Sequence, residues 1–193
     1  MKDLAVFILC GGKKSQEQSD KGLVLFKDKP FVEHIIKAIL PITNNIQLVT
    51  NSTDYDYLDY KKIRDIEIDK GPLGGIYTAL YYSETEFSII LSCDIPLIST
   101  ELLAELIEKH DDEAVITVLS SESRIHPLIG IYAKKILPDI KEAIDRGDLK
   151  LMNLIVKVPH QIINFDENQN QKFININSLD ELNDLDANLN SIL

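Results

Sequence analysis

The chain has 193 residues, 45% of them hydrophobic and 26% charged, which suits one α/β domain with a sizeable core spanning 1–193. The formal charge of −11 argues against nucleic acid as a partner. No apolar run approaches the roughly 18 residues of a membrane span, and the N-terminal "MKDLAVFILCGG" is too short and too weakly charged for a cleaved signal. A cytoplasmic protein with no membrane partner is therefore expected. Two cysteines, Cys10 and Cys93, form no C-x-x-C and support neither a disulfide framework nor a zinc site.

Apolar runs rich in β-branched residues predict strands at 4–9, 46–50, 63–68, 87–93, 114–119, 128–133 and 173–177. The continuous runs among them read as strands buried on both faces. Helical periodicity falls between them, at 30–40, 72–84, 100–110, 133–147 and 178–189. The alternation predicts a mostly parallel sheet with helices on both sides. Ser99 or Thr100 is placed to cap the third helix, and Ser178 with Glu181 has capping-box spacing. Gly147 stops the fourth helix, and Pro138 kinks or begins it. The segment 166–171, "DENQNQ", reads as a polar loop.

Ligands of such sheets bind at the carboxyl ends of the strands, which draws attention to Cys10-Gly11-Gly12, Asn51, Asp69, Cys93-Asp94 and Asn175 to Asn177. Charge points to the same end of the chain, since residues 1–30 carry +2 and the rest −13; a local basic spot suits a small anionic ligand. "LCGGKKSQEQSDKG" is neither a Walker loop nor a dinucleotide fingerprint. A glycine pair after a strand lets backbone N–H groups approach phosphate closely, and Lys21 can reach it as a point charge; a tight turn with a surface lysine is the plainer alternative. Asp94 in "SCDIP" stands where a carboxylate suits Mg²⁺, which takes one or two carboxylates plus substrate phosphates, or where it caps a turn. "DKGPLGGIYTAL" places three glycines before a helix, either to open backbone N–H groups to a ligand or to permit close packing. Among the histidines, His34 within a helix and His110 at the end of one read as surface or helix-dipole-compatible positions, His160 shows no ligand spacing, and His126 in "RIHPLIGIY" is a site candidate.

In their order and spacing, "LCGG…SDKG", "VTN", "DKGPLGG", "CDIP", "HPLIGIY" and "FININS" resemble the molybdenum cofactor guanylyltransferases, the MobA family of Rossmann-like nucleotidyltransferases, over essentially the whole chain. The resemblance implies a three-layer α/β sandwich of the nucleotide-diphospho-sugar transferase kind, with a mostly parallel, partly mixed central sheet. It also implies transfer of GMP from Mg·GTP to the terminal phosphate of molybdopterin carrying molybdenum. By that resemblance Leu9, Cys10, Gly11, Gly12, Asn51 and Asp69 hold the nucleotide, Lys21 its phosphates and Asp94 its Mg²⁺. Lys21 and Asp94 are the expected catalytic pair, Gly74, Asn175 and Asn177 line the substrate side, and molybdoenzyme apoproteins or other cofactor-maturation proteins are implied partners. The absence of a nucleophilic triad fits, because an acceptor phosphate oxygen needs positioning and charge neutralisation rather than a strong base. The chain departs from the family where Gln16-Glu17-Gln18 replaces Arg-Met-Gly: a five-donor fork becomes a neutral amide, leaving Lys13 or Lys14 as substitute point charges. A cytidylyl- or sugar-phosphate nucleotidyltransferase and a non-catalytic nucleotide- or molybdopterin-binding protein are the alternatives.

Overall fold

A computed structural model describes residues 4–11, 20–121 and 124–165. In chain order these form β1 (Ala5–Leu9), β2 (Leu25–Phe26), β3 (Lys29–Pro30), α1 (Phe31–Ile39), β4 (Ile46–Val49), β5 (Lys61–Ile63) and α2 (Gly71–Tyr82). There follow β6 (Phe87–Ser92), α3 (Thr100–Glu108), β7 (Ile116–Ser121), β8 (Arg124–Ala133), α4 (Leu137–Asp145), α5 (Leu151–Ile155) and β9 (His160–Phe165).

Seven strands make one sheet in the order β5-β4-β1-β6-β8-β7-β9, in which β8 runs antiparallel to both its neighbours and the other pairings are parallel. Every residue of β1, β4, β6 and β7 is buried, as a sheet covered on both faces requires. Helix α1 packs with α3, tied by the Thr100 hydroxyl donating to the Ala38 carbonyl at 2.8 Å, and α2 packs with α4 and crosses β1, β4, β6 and β8. The result is a three-layer α/β sandwich with a mixed, mostly parallel sheet, as expected. The small β2–β3 hairpin stands outside it, turning on Lys27 and Asp28, both with positive φ.

Several boundaries differ from the sequence reading. The strand expected at 63–68 ends at Ile63, because this is the sheet edge and the chain turns away into α2. The last two strands before the C-terminal region were expected at 114–119 and 128–133. In the structure β7 runs to Ser121 and β8 begins at Arg124, since the two continue pairing past a bulge between Val118 and Leu119. Pro138 begins α4 rather than kinking it, and Gly147 takes φ +73° just after the helix, its N–H donating to Ile144 O. Ser99 is the cap of α3, accepting from Leu102 N. The β2–β3 hairpin, α5 and β9 were not expected. Expectations at 166–171, 173–177 and 178–189 lie outside the described residues.

Candidate active site

Strands β1, β4 and β6 are level at their carboxyl ends: Leu9 pairs with Val49 on one side and Ser92 on the other. The residues that follow, Cys10-Gly11, Thr50-Asn51 and Cys93-Asp94, therefore emerge side by side on one edge. Cys10 stays bound to it by donating its N–H to Val49 O at 2.8 Å.

Lys21 reaches this edge from 73 residues away in sequence, its Nζ 3.4 Å from Asp94 Oδ2. The lysine begins a 3₁₀ turn, Lys21–Leu23, anchored by Asp20, whose carboxylate accepts from Gly22 N at 3.2 Å and from the Tyr55 hydroxyl. Tyr55 is fully buried, and burial next to the two thiols and Asp20 pushes its phenol far above the ordinary range, so it stays a neutral donor. Beneath it the Cys10 thiol is raised well above its usual value by burial, then by contact with the Cys93 thiol, and both cysteines are free. They pack as small apolar groups rather than nucleophiles. Gly22 fits against this cluster only because it lacks a Cβ, which would come within 2.5 Å of Tyr55 Oη and 3.2 Å of Cys93 Cβ. The other oxygen of Asp94, Oδ1, accepts from the Ser92 hydroxyl at 2.5 Å.

On the β4 side the structure brings in a carboxylate that sequence reasoning passed over. The Asn51 side chain makes a double clasp on Asp65, donating Nδ2–H to Oδ2 at 2.9 Å and accepting the Asp65 backbone N–H at 3.1 Å. Asp65 Oδ2 lies 3.7 Å from where a Gly11 Cβ would stand, so this carboxylate faces the glycine loop. Its Oδ1 is buried with no hydrogen-bond partner among the described residues. Burial raises the Asp65 pKa, partly offset by the Asn51 bond. Asp69 instead occupies the exposed turn before α2 at φ +60°. The reading of 63–68 as a strand hid Asp65; with the strand ended at Ile63, the rule of looking just past each strand end finds it.

The remaining candidates are distributed as follows. At Gly74 the Glu67 carbonyl comes within 2.6 Å of where a Cβ would be, and Gly75 meets the Leu9 side chain at 3.3 Å, so these glycines let α2 press onto β1 and the preceding turn. His126 is buried and hydrogen-bonds Ser121 at 2.9 Å, its pKa lowered by burial. His110 is not the surface residue expected: its side chain is 1% exposed, because Phe87 and Thr117 from neighbouring strands close over the end of α3. His34 is half-buried and bonds the Phe26 carbonyl at 2.7 Å. Gly12, Lys13, Lys14, Gln16, Glu17, Gln18, Asn175 and Asn177 lie outside the described residues.

No cluster of three or more His, Cys, Asp or Glu side chains that could hold a metal ion occurs among the described residues. Asp94 offers a single oriented carboxylate, a donor set that fits Mg²⁺ sharing its ligands with substrate phosphates and does not fit a caged structural ion.

Fold and site together make this an α/β protein that gathers Gly11, a lysine and two carboxylates at one sheet edge. The sequence profile of the MobA-like NTP transferase domain matches residues 6–162, and the chain belongs to that family of nucleotidyltransferases. It is 68% identical to the "Probable molybdenum cofactor guanylyltransferase" of Flavobacterium johnsoniae, covering 98% of this chain and all of that one. It is 30% identical to the molybdenum cofactor guanylyltransferase of Vibrio vulnificus over 91% of each chain. Among solved structures, a protein from Aquifex aeolicus superposes with TM-score 0.79 at 26% identity, covering 90% of this chain and 93% of that one. The molybdopterin-guanine dinucleotide biosynthesis protein A of Archaeoglobus fulgidus shares the fold at TM-score 0.79 and 18% identity, over 97% and 99% of the two chains.

Proposed function

We propose that the chain, as one nucleotidyltransferase domain over 1–193, transfers GMP from GTP to the terminal phosphate of molybdopterin carrying molybdenum, releasing pyrophosphate. The observation that carries the reading is the meeting of Lys21 and Asp94 beside Gly11 and the Asn51–Asp65 clasp. The names of the relatives support the acceptor.

The roles follow from charge and position. Backbone N–H groups of the glycine loop from Gly11 onward and the Lys21 ammonium hold the polyphosphate, the Cys10 N–H being held by Val49 O. Asp65 accepts from the base, with Asn51 fixing its orientation; guanine presents two adjacent donors, N1–H and the 2-amino group, to such a carboxylate, and cytosine presents only its 4-amino group. Asp94 carries Mg²⁺, which when bound neutralises charge on the phosphates. An acceptor phosphate oxygen, already anionic, forms the new bond to the α-phosphorus while the bond to the bridging oxygen breaks and pyrophosphate leaves. No residue needs to take a proton, and the chain's contribution is in-line alignment and electrostatic neutralisation. By family resemblance Gly12 joins the nucleotide loop, Asn175 and Asn177 the pterin side, and Gly74 the substrate wall. The described residues contain no helix long and apolar enough to cross a membrane; we place the protein in the cytoplasm, handing its product to molybdoenzyme apoproteins or other maturation proteins.

Purified protein with GTP, Mg²⁺ and molybdopterin is expected to release pyrophosphate, and Asp94→Ala is expected to lose at least about a hundredfold of that rate. Pyrophosphate from CTP but not GTP would transfer the assignment to a cytidylyl enzyme. Binding of nucleotide without turnover in any condition would make it a carrier.

A further inference from the structure

The two oxygens of Asp94 are in different hands. Oδ1 accepts from Ser92 at 2.5 Å inside the sheet edge, and Oδ2 faces Lys21 at 3.4 Å. The Asp94 side chain is 9% exposed, while that of Lys21 is 45% exposed and reaches in from a turn held by Asp20 and Tyr55. A hydroxyl at this distance restricts rotation of the carboxylate, so one oxygen alone is presented to whatever cation stands outside.

We propose that Lys21 is a built-in placeholder for the metal ion on Asp94 Oδ2, and that Ser92 is the positioning residue that presents this oxygen to either cation. The inference rests on reading Asp94 as the cation-bearing carboxylate. Its physical basis is charge. A divalent ion and an ammonium on one carboxylate oxygen repel each other at a separation where the interaction is weakly screened. The ion therefore binds poorly until something draws the ammonium away, and a polyphosphate arriving over Gly11 does so, since each extra anionic oxygen competes for Lys21. The resting ion pair also gives a nearly buried carboxylate a partner, which an unpaired charge would lack. Cation and nucleotide are thereby coupled, and by linkage each strengthens the other's binding equally.

The test uses Mn²⁺ alone as the probe, its binding to the full chain counted by electron paramagnetic resonance without nucleotide. Lys21→Met is expected to tighten Mn²⁺ binding at least about fivefold, the lower end of ordinary couplings. Lys27→Met, a lysine of the neighbouring hairpin that lies over the Phe26 ring, removes the same formal charge and is expected to change it less than twofold. In the Lys21→Met background Ser92→Ala is expected to weaken Mn²⁺ binding several-fold and Ser92→Thr to restore it. GTP affinity in the presence of chelator should fall in Lys21→Met and hold in Ser92→Ala. Equal Mn²⁺ affinity in wild type and Lys21→Met overturns the placeholder and leaves the proposed activity standing. A Ser92→Ala variant that melts lower yet keeps its Mn²⁺ affinity reduces Ser92 to a packing role and overturns its part. Mn²⁺ binding that survives Asp94→Asn overturns this inference and the metal assignment together, and no Mn²⁺ binding in any variant overturns this inference alone, since the assigned ion draws its other ligands from the nucleotide.

Discussion

Gly22 gives a clean steric perturbation. Its backbone lies outside the left-handed region, so Gly22→Ala adds a methyl without dihedral strain, and the gain from a less flexible unfolded chain is at most about 1 kcal/mol. The new carbon would meet Tyr55 Oη at 2.5 Å, Tyr55 Cζ at 3.3 Å and Cys93 Cβ at 3.2 Å. Tyr55 is fully buried and cannot swing aside, so either its bond to Asp20 breaks or the 3₁₀ turn moves and takes Lys21 with it. Overpacking of this kind costs about 1–3 kcal/mol, and losing a hydrogen bond to a carboxylate about 1.5–3 kcal/mol more if the bond breaks. We expect a net loss of about 2–4 kcal/mol in urea unfolding followed by circular dichroism, with unchanged m-value. Removing the offending oxygen supplies the second half of the test. Tyr55→Phe alone forfeits the hydrogen bond, but on that background Gly22→Ala meets only contacts of 3.2–3.3 Å, and the two changes should cost at least about 1 kcal/mol less together than the sum of the singles. Strict additivity, or a Gly22→Ala protein as stable as wild type, would refute the account of this cluster.

Three further substitutions have expected outcomes. Asp65→Asn should weaken GTP binding roughly tenfold or more, read by calorimetry. The same change should flatten the pH dependence of stability: a carboxyl whose folded pKa is raised binds more protons folded than unfolded, so its penalty is absent below the unfolded value near 3.8 and grows as pH rises through the folded one. His110 should act in the opposite sense. Its Nδ1–H serves Thr117, whose hydroxyl donates to Gln161, and its Nε2 is buried with no hydrogen-bond partner among the described residues, the nearest carboxylate being Asp112 at 3.8 Å. Burial holds its pKa below 6.5, so the unfolded chain takes up the proton first; stability is full above about pH 6.5 and falls below it. His110→Gln should reduce that slope in thermal melts between pH 5 and pH 7, and an unchanged slope would remove His110 from the account. Ser99→Ala should cost about 1 kcal/mol through loss of the α3 cap, which for a chain of this length is a shift of about 2–4 °C in Tm.

Where burial on both faces dictates composition, the sequence was easy to read. "LAVFIL" and "FSIILSC" are apolar without interruption because β1 and β6 are central and covered by helices on each side. Strand β9 was invisible for the reverse reason. "HQIINF" is an edge strand with alternating exposure whose hydrogen-bonding partner β7 lies about 40 residues earlier, and nothing local announces that pairing. The site divided similarly. Lys21, Asn51 and Asp94 could be named because each stands at a strand end or beside a glycine turn. The Asn51–Asp65 clasp needed β4 and β5 to be neighbours and β5 to stop at Ile63, both properties of the assembled sheet. Tyr55 and Ser92, which place Asp20 and Asp94, carry no spacing signal, since a hydroxyl's partner is decided by packing.

Strand β5 also bears on how the molecule behaves in company. Among the described residues it is an outer strand of three residues, with Lys61 exposed, Lys62 bonded back to the Leu58 carbonyl and exposed Arg64 directly after it. Unpaired strand edges invite pairing between chains, and brevity and lysine are the usual deterrents. On a chain of net charge −11 this margin is locally cationic, so two copies approaching edge to edge would set like charges against each other there. The strand that carries the chain to Asp65 thus also keeps the sheet from growing by accretion.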